Sequence, residues 1–139
     1  MTANSTTGTL FIVATPIGNL GDVSPRALET LAQVDLIACE DTRTSRTLLV
    51  RYNIGTRTVA LHQHNERAAS AALIETLRAG KNVALITDAG TPGLSDPGAV
   101  LVAAAHSAAV PVVPVPGPSA ATAALSASGF AAGPWLFAG

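Results

Sequence analysis

The chain holds 139 residues, 48% apolar and 12% charged, with eight Lys and Arg against nine Asp and Glu for a formal charge of −1. A single domain of this size buries roughly two thirds of its unfolded surface, so disulfide or metal staples are not required, and the apolar content with little net charge excludes intrinsic disorder. The near-neutral balance also excludes a domain that coats nucleic acid by bulk electrostatics, leaving only a local patch.

The one cysteine, Cys39, follows an apolar run of Leu36, Ile37 and Ala38. That excludes an intrachain disulfide framework and a multi-cysteine zinc site, and a reducing compartment is the default. Residues 1–8, MTANSTTG, are polar and carry neither a basic nor an apolar signal region, so they read as a disordered tail without secretory character. The most apolar stretch, from Val100 onward, is broken by His106, Ser107, Pro111, Pro114 and Pro116, which leaves no membrane span. A soluble cytoplasmic protein is expected.

Short β-branched runs alternate with amphipathic or Ala-rich stretches, the pattern of βα units around a parallel sheet. Strands are expected at Thr9 to Ala14, Asp35 to Cys39, Thr58 to Leu61, Asn82 to Thr87 and Pro111 to Val115. Several are apolar on both faces, as strands covered by helices on both sides should be. The first helix begins with Ser24 as cap and Pro25 in its first turn, and Ala27, Leu28, Leu31 and Val34 form its apolar stripe. Further helices are expected over Thr44 to Tyr52, Glu66 to Arg78 with Gly80 past its end, Pro97 to Ala108 capped by Asp96, and Ser119 to Ser128 ending at Gly129. The fold class is therefore α/β, a three-layer doubly wound arrangement on a mainly parallel five-stranded sheet, with residues 9–129 as one domain. Phe130, Trp135, Leu136 and Phe137 follow the last helix with nothing left to pack on. Residues 130–139 read as the start of a linker to a second domain that this sequence does not contain, with a folded-back arm or a dimer contact as alternatives.

Ligands of parallel sheets bind beyond the carboxyl ends of the strands, so the loops there carry the candidate chemistry. No G-x-G-x-x-G follows the first strand and no G-x-x-x-x-G-K-[ST] occurs anywhere, which disfavours dinucleotide and nucleoside triphosphate chemistry. The only lysine, Lys81, precedes the fourth strand on the opposite rim. After the fourth strand, Asp88 to Gly98 holds three glycines, Gly90, Gly93 and Gly98, and two prolines, Pro92 and Pro97, that stiffen the loop. Such a loop brings rigid main chain close to a ligand with hydrogen-bonding edges, such as a nucleoside, and Asp88 at the strand end can accept from ribose hydroxyls or face a cation. Pro116 to Ala120 leads into a helix whose first N–H groups face the same rim, with Ser119 as an ordinary cap that leaves room for contact. Glu40 and Asp41 offer paired carboxylates for acid/base work, although neighbours on a strand face opposite ways and Asp41 competes as a helix cap. His62 and His64 lack an obvious third ligand, so no metal site is expected. Arg43, Arg46, Arg51 and Arg57, half the chain's basic residues, lie in an acid-free stretch from Thr42 to Asn65. This is either a phosphate-backbone patch or a solvated helix face pairing with Glu66 or a partner subunit.

Taken in order, TPIGNLGD, EDTR, HQHNE, DAGTPGLSDPG and PGPSA resemble the tetrapyrrole-methylase superfamily, and within it the ribosomal RNA small subunit methyltransferase I branch. The resemblance spans Gly8 to Gly139. It implies an S-adenosylmethionine-dependent enzyme of two α/β domains with the cofactor between them, commonly a homodimer, that methylates the 2′-hydroxyl of a cytidine in small-subunit ribosomal RNA. It places cofactor contacts at Pro16, Asp88, Ala89, Gly90, Ser119 and Ala120. Glu40, Asp41 and His64 are candidates for the group that activates the ribose hydroxyl, and Arg43 and Arg46 for RNA contact. The departure is length, since the family's second α/β domain has no counterpart here. Methylation of a corrin or porphyrin precursor, and a non-catalytic dimerising or binding module, stand as alternatives.

Overall fold

In a computed structural model that describes residues 6–130 and 133–139, five short strands pair in parallel in the order β3-β2-β4-β1-β5. They are β1 (Leu10–Val13), β2 (Leu36–Cys39), β3 (Thr58–Ala60), β4 (Val83–Ile86) and β5 (Val112–Val115). The helices are α1 (Pro25–Gln33), α2 (Thr42–Arg51), α3 (Glu66–Arg78), α4 (Ala99–Ser107) and α5 (Ala120–Ser128). Side-chain alternation explains the layering. Val13, Ile37, Cys39, Ala84 and Ile86 pack with Ala27 and Leu31 of α1 and Leu48 and Leu49 of α2. Leu10, Ala38, Val83 and Leu85 point the other way, onto Leu73 and Leu77 of α3 and Leu101 and Ala105 of α4. All four residues of β4 are buried, as a central strand between two helical layers requires.

β5 is an edge, and it carries a proline. Leu10 N–H donates to Pro111 O and Ala14 N–H to Val115 O, so residues 111 and 115 turn toward β1 and Pro114, by alternation, turns outward. The outward carbonyl of Pro114 accepts from Arg26 Nη2 at 2.8 Å.

The strands match expectation with one or two residues trimmed from their ends, where loops take over the backbone bonds. At the lower rim, Asn82 organises those ends. Its side-chain oxygen accepts from Thr9 N–H at 2.8 Å, and its own N–H donates to Asp35 Oδ2 at 2.8 Å. Of the expected tail, residues 1–5 lie outside the described residues, whereas Gly8 is buried and donates to Leu77 O at 2.7 Å. Residues 131–132 of the expected linker also lie outside them.

Three helix starts differ from expectation. α2 begins at Thr42, two residues early, because Asp41 caps it by accepting from Arg43 N–H at 2.8 Å. α4 begins at Ala99, with Gly98 rather than Asp96 at the cap position and at a φ of 135°. Its free N–H groups are met from another helix. Glu66 Oε1 accepts from Gly98 N–H at 2.8 Å and from Val100 N–H at 3.3 Å, so Glu66 serves α4 and does not pair with the arginines. Ser119 stands at the cap position of α5 without a side-chain cap bond, contrary to its expected role.

Removing the cross-helix cap has a calculable effect. Glu66→Ala leaves two N–H groups, one partly buried and one exposed, at the junction of α3 and α4 without that partner, and should destabilise the chain by about 1 kcal/mol, a fall of several degrees in Tm by thermal denaturation. Asp96→Ala should shift Tm less.

Candidate functional site at the carboxyl rim

β1 and β4 are neighbours, and their exit loops are bonded to each other. Thr15 N–H donates to Gly90 O and Gly90 N–H to Thr15 O, both at 3.0 Å, an antiparallel bridge in a parallel sheet. Gly90 sits at a φ of +81°, a conformation side chains rarely adopt, and a Cβ there would meet Ile17 Cγ2 at 3.5 Å. The hydroxyl of Thr15 donates to Thr87 O at 3.2 Å. The loop after β5 joins through Thr91 Oγ1, which donates to Pro118 O at 3.0 Å. Gly117 is close-packed on Ala14, where a Cβ would approach the Ala14 Cβ at 3.0 Å. Pro16, Gly90 and Ser119 thus belong to three loops tied into one edge.

Beside this seam lies a cavity of about 420 Å³, in the usual size range for small-molecule sites. Of the expected cofactor residues, Ala89, Gly90, Ser119 and Ala120 line it, together with Ile17, Asp96 and Phe137 among others, whereas Pro16 and Asp88 line a separate cavity beside α2. Because Ser119 makes no side-chain cap bond, the first N–H groups of α5 remain available to a ligand from this rim. Main-chain donors, small side chains and nearby carboxylates are a donor set that fits a nucleoside with a cationic arm. Sequence reasoning located these loops but assigned no ligand role to Ile17, which lies within TPIGNLGD, or to Phe137, which reads there as part of a linker.

The carboxylates form a chain across the ends of β2 and β4. Glu40 Oε2 accepts from Asp88 N–H at 3.4 Å, and Asp88 Oδ1 accepts from Asp41 N–H at 3.2 Å. Asp96 Oδ2 accepts from the Thr87 hydroxyl at 3.3 Å. Burial pushes the Glu40 carboxyl above the ordinary glutamate value, and the negative charges of Asp88, Asp96 and Asp41 add to the rise against the opposing Asp88 N–H. Asp41 goes the other way: donors from the Arg43 backbone and side chain hold its carboxyl below the usual range. Burial likewise raises the thiol of Cys39, which makes it a poor nucleophile.

The remaining candidates lie further out. Arg43 is paired with Asp41 at 3.4 Å in a solvent-exposed contact worth little on its own. Arg43, Arg46 and Arg51 share a shallow groove with Val50, which is 67% exposed. His64 follows β3 at the sheet edge, two strand spacings or about 10 Å from β4. Its N–H donates to His62 Nδ1 at 3.2 Å, an interaction within the turn. Among the described residues no group of three His, Cys, Asp or Glu is placed to hold a metal ion.

A family model described as Tetrapyrrole (Corrin/Porphyrin) Methylases matches residues 9–133. Ribosomal RNA small subunit methyltransferase I of Mesorhizobium japonicum is 58% identical over 130 residues, which are 94% of this chain and 44% of that protein. The protein of the same name from Haemophilus influenzae is 56% identical over 133 residues, 96% of this chain and 47% of its own. Among solved structures, uroporphyrin-III-C-methyltransferase from Thermus thermophilus aligns with a TM-score of 0.68 at 25% identity, covering 88% of this chain and 53% of that one. The chain spans about half the length of the curated relatives it matches.

The two adjacent carboxylates should respond to pH in opposite senses. A carboxyl raised in the folded state contributes its stability below the unfolded value and loses it as pH rises through the folded one. Glu40→Gln should therefore raise Tm at pH 7, with the gain vanishing below about pH 4. Asp41, lowered in the folded state, stabilises above the unfolded value. Asp41→Ala should lower Tm at pH 7, and the difference should close as acid protonates the wild-type carboxylate. Thermal melts across pH 3 to 7 check both.

Proposed function

Because the chain belongs to the tetrapyrrole (corrin/porphyrin) methylase family, we propose that it is the S-adenosylmethionine-binding part of an enzyme that methylates the 2′-hydroxyl of a cytidine in small-subunit ribosomal RNA. One observation carries this reading: the Thr15–Gly90 bridge and the Thr91–Pro118 bond bring Pro16, Gly90 and Ser119 to a single edge. The residues that hold the cofactor are Pro16, Asp88, Ala89, Gly90, Ser119 and Ala120. When bound, S-adenosylmethionine supplies a methyl group activated on a cationic sulfonium.

The chain's own side chains complete the assignment. The carboxylates of Glu40 and Asp88 favour a positively charged ligand over an anionic one. Glu40 is the preferred acceptor for the ribose proton, since its raised pKa makes it the stronger base of the pair, while Asp41 is committed to capping α2. His64, at the far side of the sheet, is the weaker candidate. Arg43 and Arg46 are assigned to phosphates of the RNA backbone, which guanidinium groups bind as paired donors. Ribosomal RNA is preferred to a tetrapyrrole because the matched RNA enzymes are 56–58% identical and the uroporphyrin enzyme 25%. The same reading extends to a cytoplasmic homodimer. Its support is the exposed apolar surface of Phe130, Trp135 and Leu136, and none of the described helices is long and apolar enough to cross a membrane.

Calorimetric titration of the chain with S-adenosylmethionine tests the central assignment. One site per chain is expected, and Gly90→Val should weaken it at least tenfold, since a β-branched residue at that φ distorts the seam. The absence of binding heat would sink the cofactor assignment and leave a non-catalytic module. In a protein extended to the relatives' full length, Arg43→Ala with Arg46→Ala should lower RNA methylation and flatten its logarithmic salt dependence by about one per arginine removed. An unchanged salt slope rejects the RNA contact.

A further inference from the structure

Along α2, Arg43, Arg46 and Val50 stand at i, i+3 and i+7 and form one stripe. The shallow groove shared with Arg51 lies on one flank of that stripe. On the other flank is a more enclosed groove of about 380 Å³, between α2 and the segment 54–58 that leads into β3. Its lining is mixed: Arg43 and Arg46 supply charge, Thr42 and Thr58 hydroxyls, and Val50 and Ile54 apolar surface. The far wall is held in place. Asn53, at a φ of 55°, turns the chain after α2, Ile54 N–H donates to Leu49 O at 2.8 Å, and Thr56 Oγ1 donates to Leu31 O of α1 at 2.7 Å. A wall fixed in this way needs little ordering when a ligand arrives.

Charge and apolar surface together define the ligand class. No acid occurs between Thr42 and Asn65, and Arg43 is tied only to Asp41, in an exposed pair that a phosphate can replace. An inorganic anion would use the guanidinium groups but not Val50, which is 67% exposed beside them. A nucleotide uses both. Proteins that hold single-stranded nucleic acid combine a positive track for the backbone with platforms for the faces of unstacked bases, which a duplex does not offer. The volume lies within the range of small-ligand sites and suits one nucleotide. The groove also starts at the reacting rim. Thr42 follows Asp41, whose N–H donates to Asp88 Oδ1, and α2 leads away from there over ten residues, about 15 Å.

We propose that this groove holds a nucleotide neighbouring the one that is methylated, with its phosphate on Arg43 and Arg46 and its base against Val50 and Ile54. The proposal rests on the RNA methyltransferase reading above and adds the kind of contact: single-stranded, made to a base face, and tolerant of sequence.

Amide chemical-shift mapping on the chain as it stands tests this, with hexauridylate as the single-stranded probe and inorganic polyphosphate as a polyanion without bases. Hexauridylate is expected to move the amides of Arg46, Val50, Gly55 and Thr56, and polyphosphate those of Arg43 and Arg46 without Gly55 or Thr56. In Val50→Ala the affinity for hexauridylate should fall about fivefold while that for polyphosphate is unchanged. Tm should hold in that variant, because the residue is exposed and alanine is the better helix former. Gly55 lies outside the left-handed region and a Cβ there meets nothing within 4 Å, so Gly55→Leu adds bulk at the groove without strain and should weaken hexauridylate likewise. Absence of hexauridylate shifts at Gly55 and Thr56, the same shifts from polyphosphate, or undiminished hexauridylate affinity in Val50→Ala overturns the nucleotide groove. Absence of heat on titration with S-adenosylmethionine overturns the methyltransferase reading alone.

Discussion

The reciprocal pair of hydrogen bonds between Thr15 and Gly90 runs against the grain of the sheet. Every named strand pairs in parallel, yet at the rim the exit of β1 and the exit of β4 fold back on one another as an antiparallel bridge. Two loops that would otherwise diverge are thereby locked edge to edge, and the cost is a backbone conformation at residue 90 that suits glycine. The arrangement of the loops at this end follows from that lock. It sets Asp88 beside Glu40, offers Thr91 to the β5 loop, and makes a backbone wall with a cavity on each side.

Neighbouring acids at the end of β2 then take different roles for a geometric reason. Successive residues leaving a strand face opposite ways. Asp41 turns to the first N–H groups of α2 and is held ionised by them, while Glu40 turns toward Asp88 and meets burial and like charge. One environment stabilises a carboxylate, and the other makes its proton harder to lose. A site that needs a fixed structural anion and a more basic one obtains both from a dipeptide.

Much of this was legible in the sequence. The β-branched runs gave the five strands, the Pro25 and Ser24 pair gave the start of α1, and the glycines and prolines after β4 marked the loop that carries the seam. The missing parts are those whose partner is distant along the chain. No local signal shows that Glu66 caps a helix 33 residues later, so Asp96, the nearer acid, was the natural but mistaken choice for α4. Ser119 fits every cap rule by sequence, and only its backbone setting shows the side chain making no cap bond. Ser45 looks like one polar residue on an exposed helix; its burial depends on how α2 settles over β2 and β4. The order β3-β2-β4-β1-β5, which makes β1 and β4 neighbours, is a long-range property that strand patterns alone do not specify.

The outward-facing Pro114 has a further consequence for how the molecule meets its own kind. An open strand edge is a template on which another chain can hydrogen-bond, and it invites fibrous aggregation. At β5 the ring of Pro114 removes a donor from that template and Arg26 occupies the adjoining acceptor. Lateral growth of the sheet by main-chain pairing is blocked there, so another molecule that met this side would do so through side-chain surfaces, which can be selective.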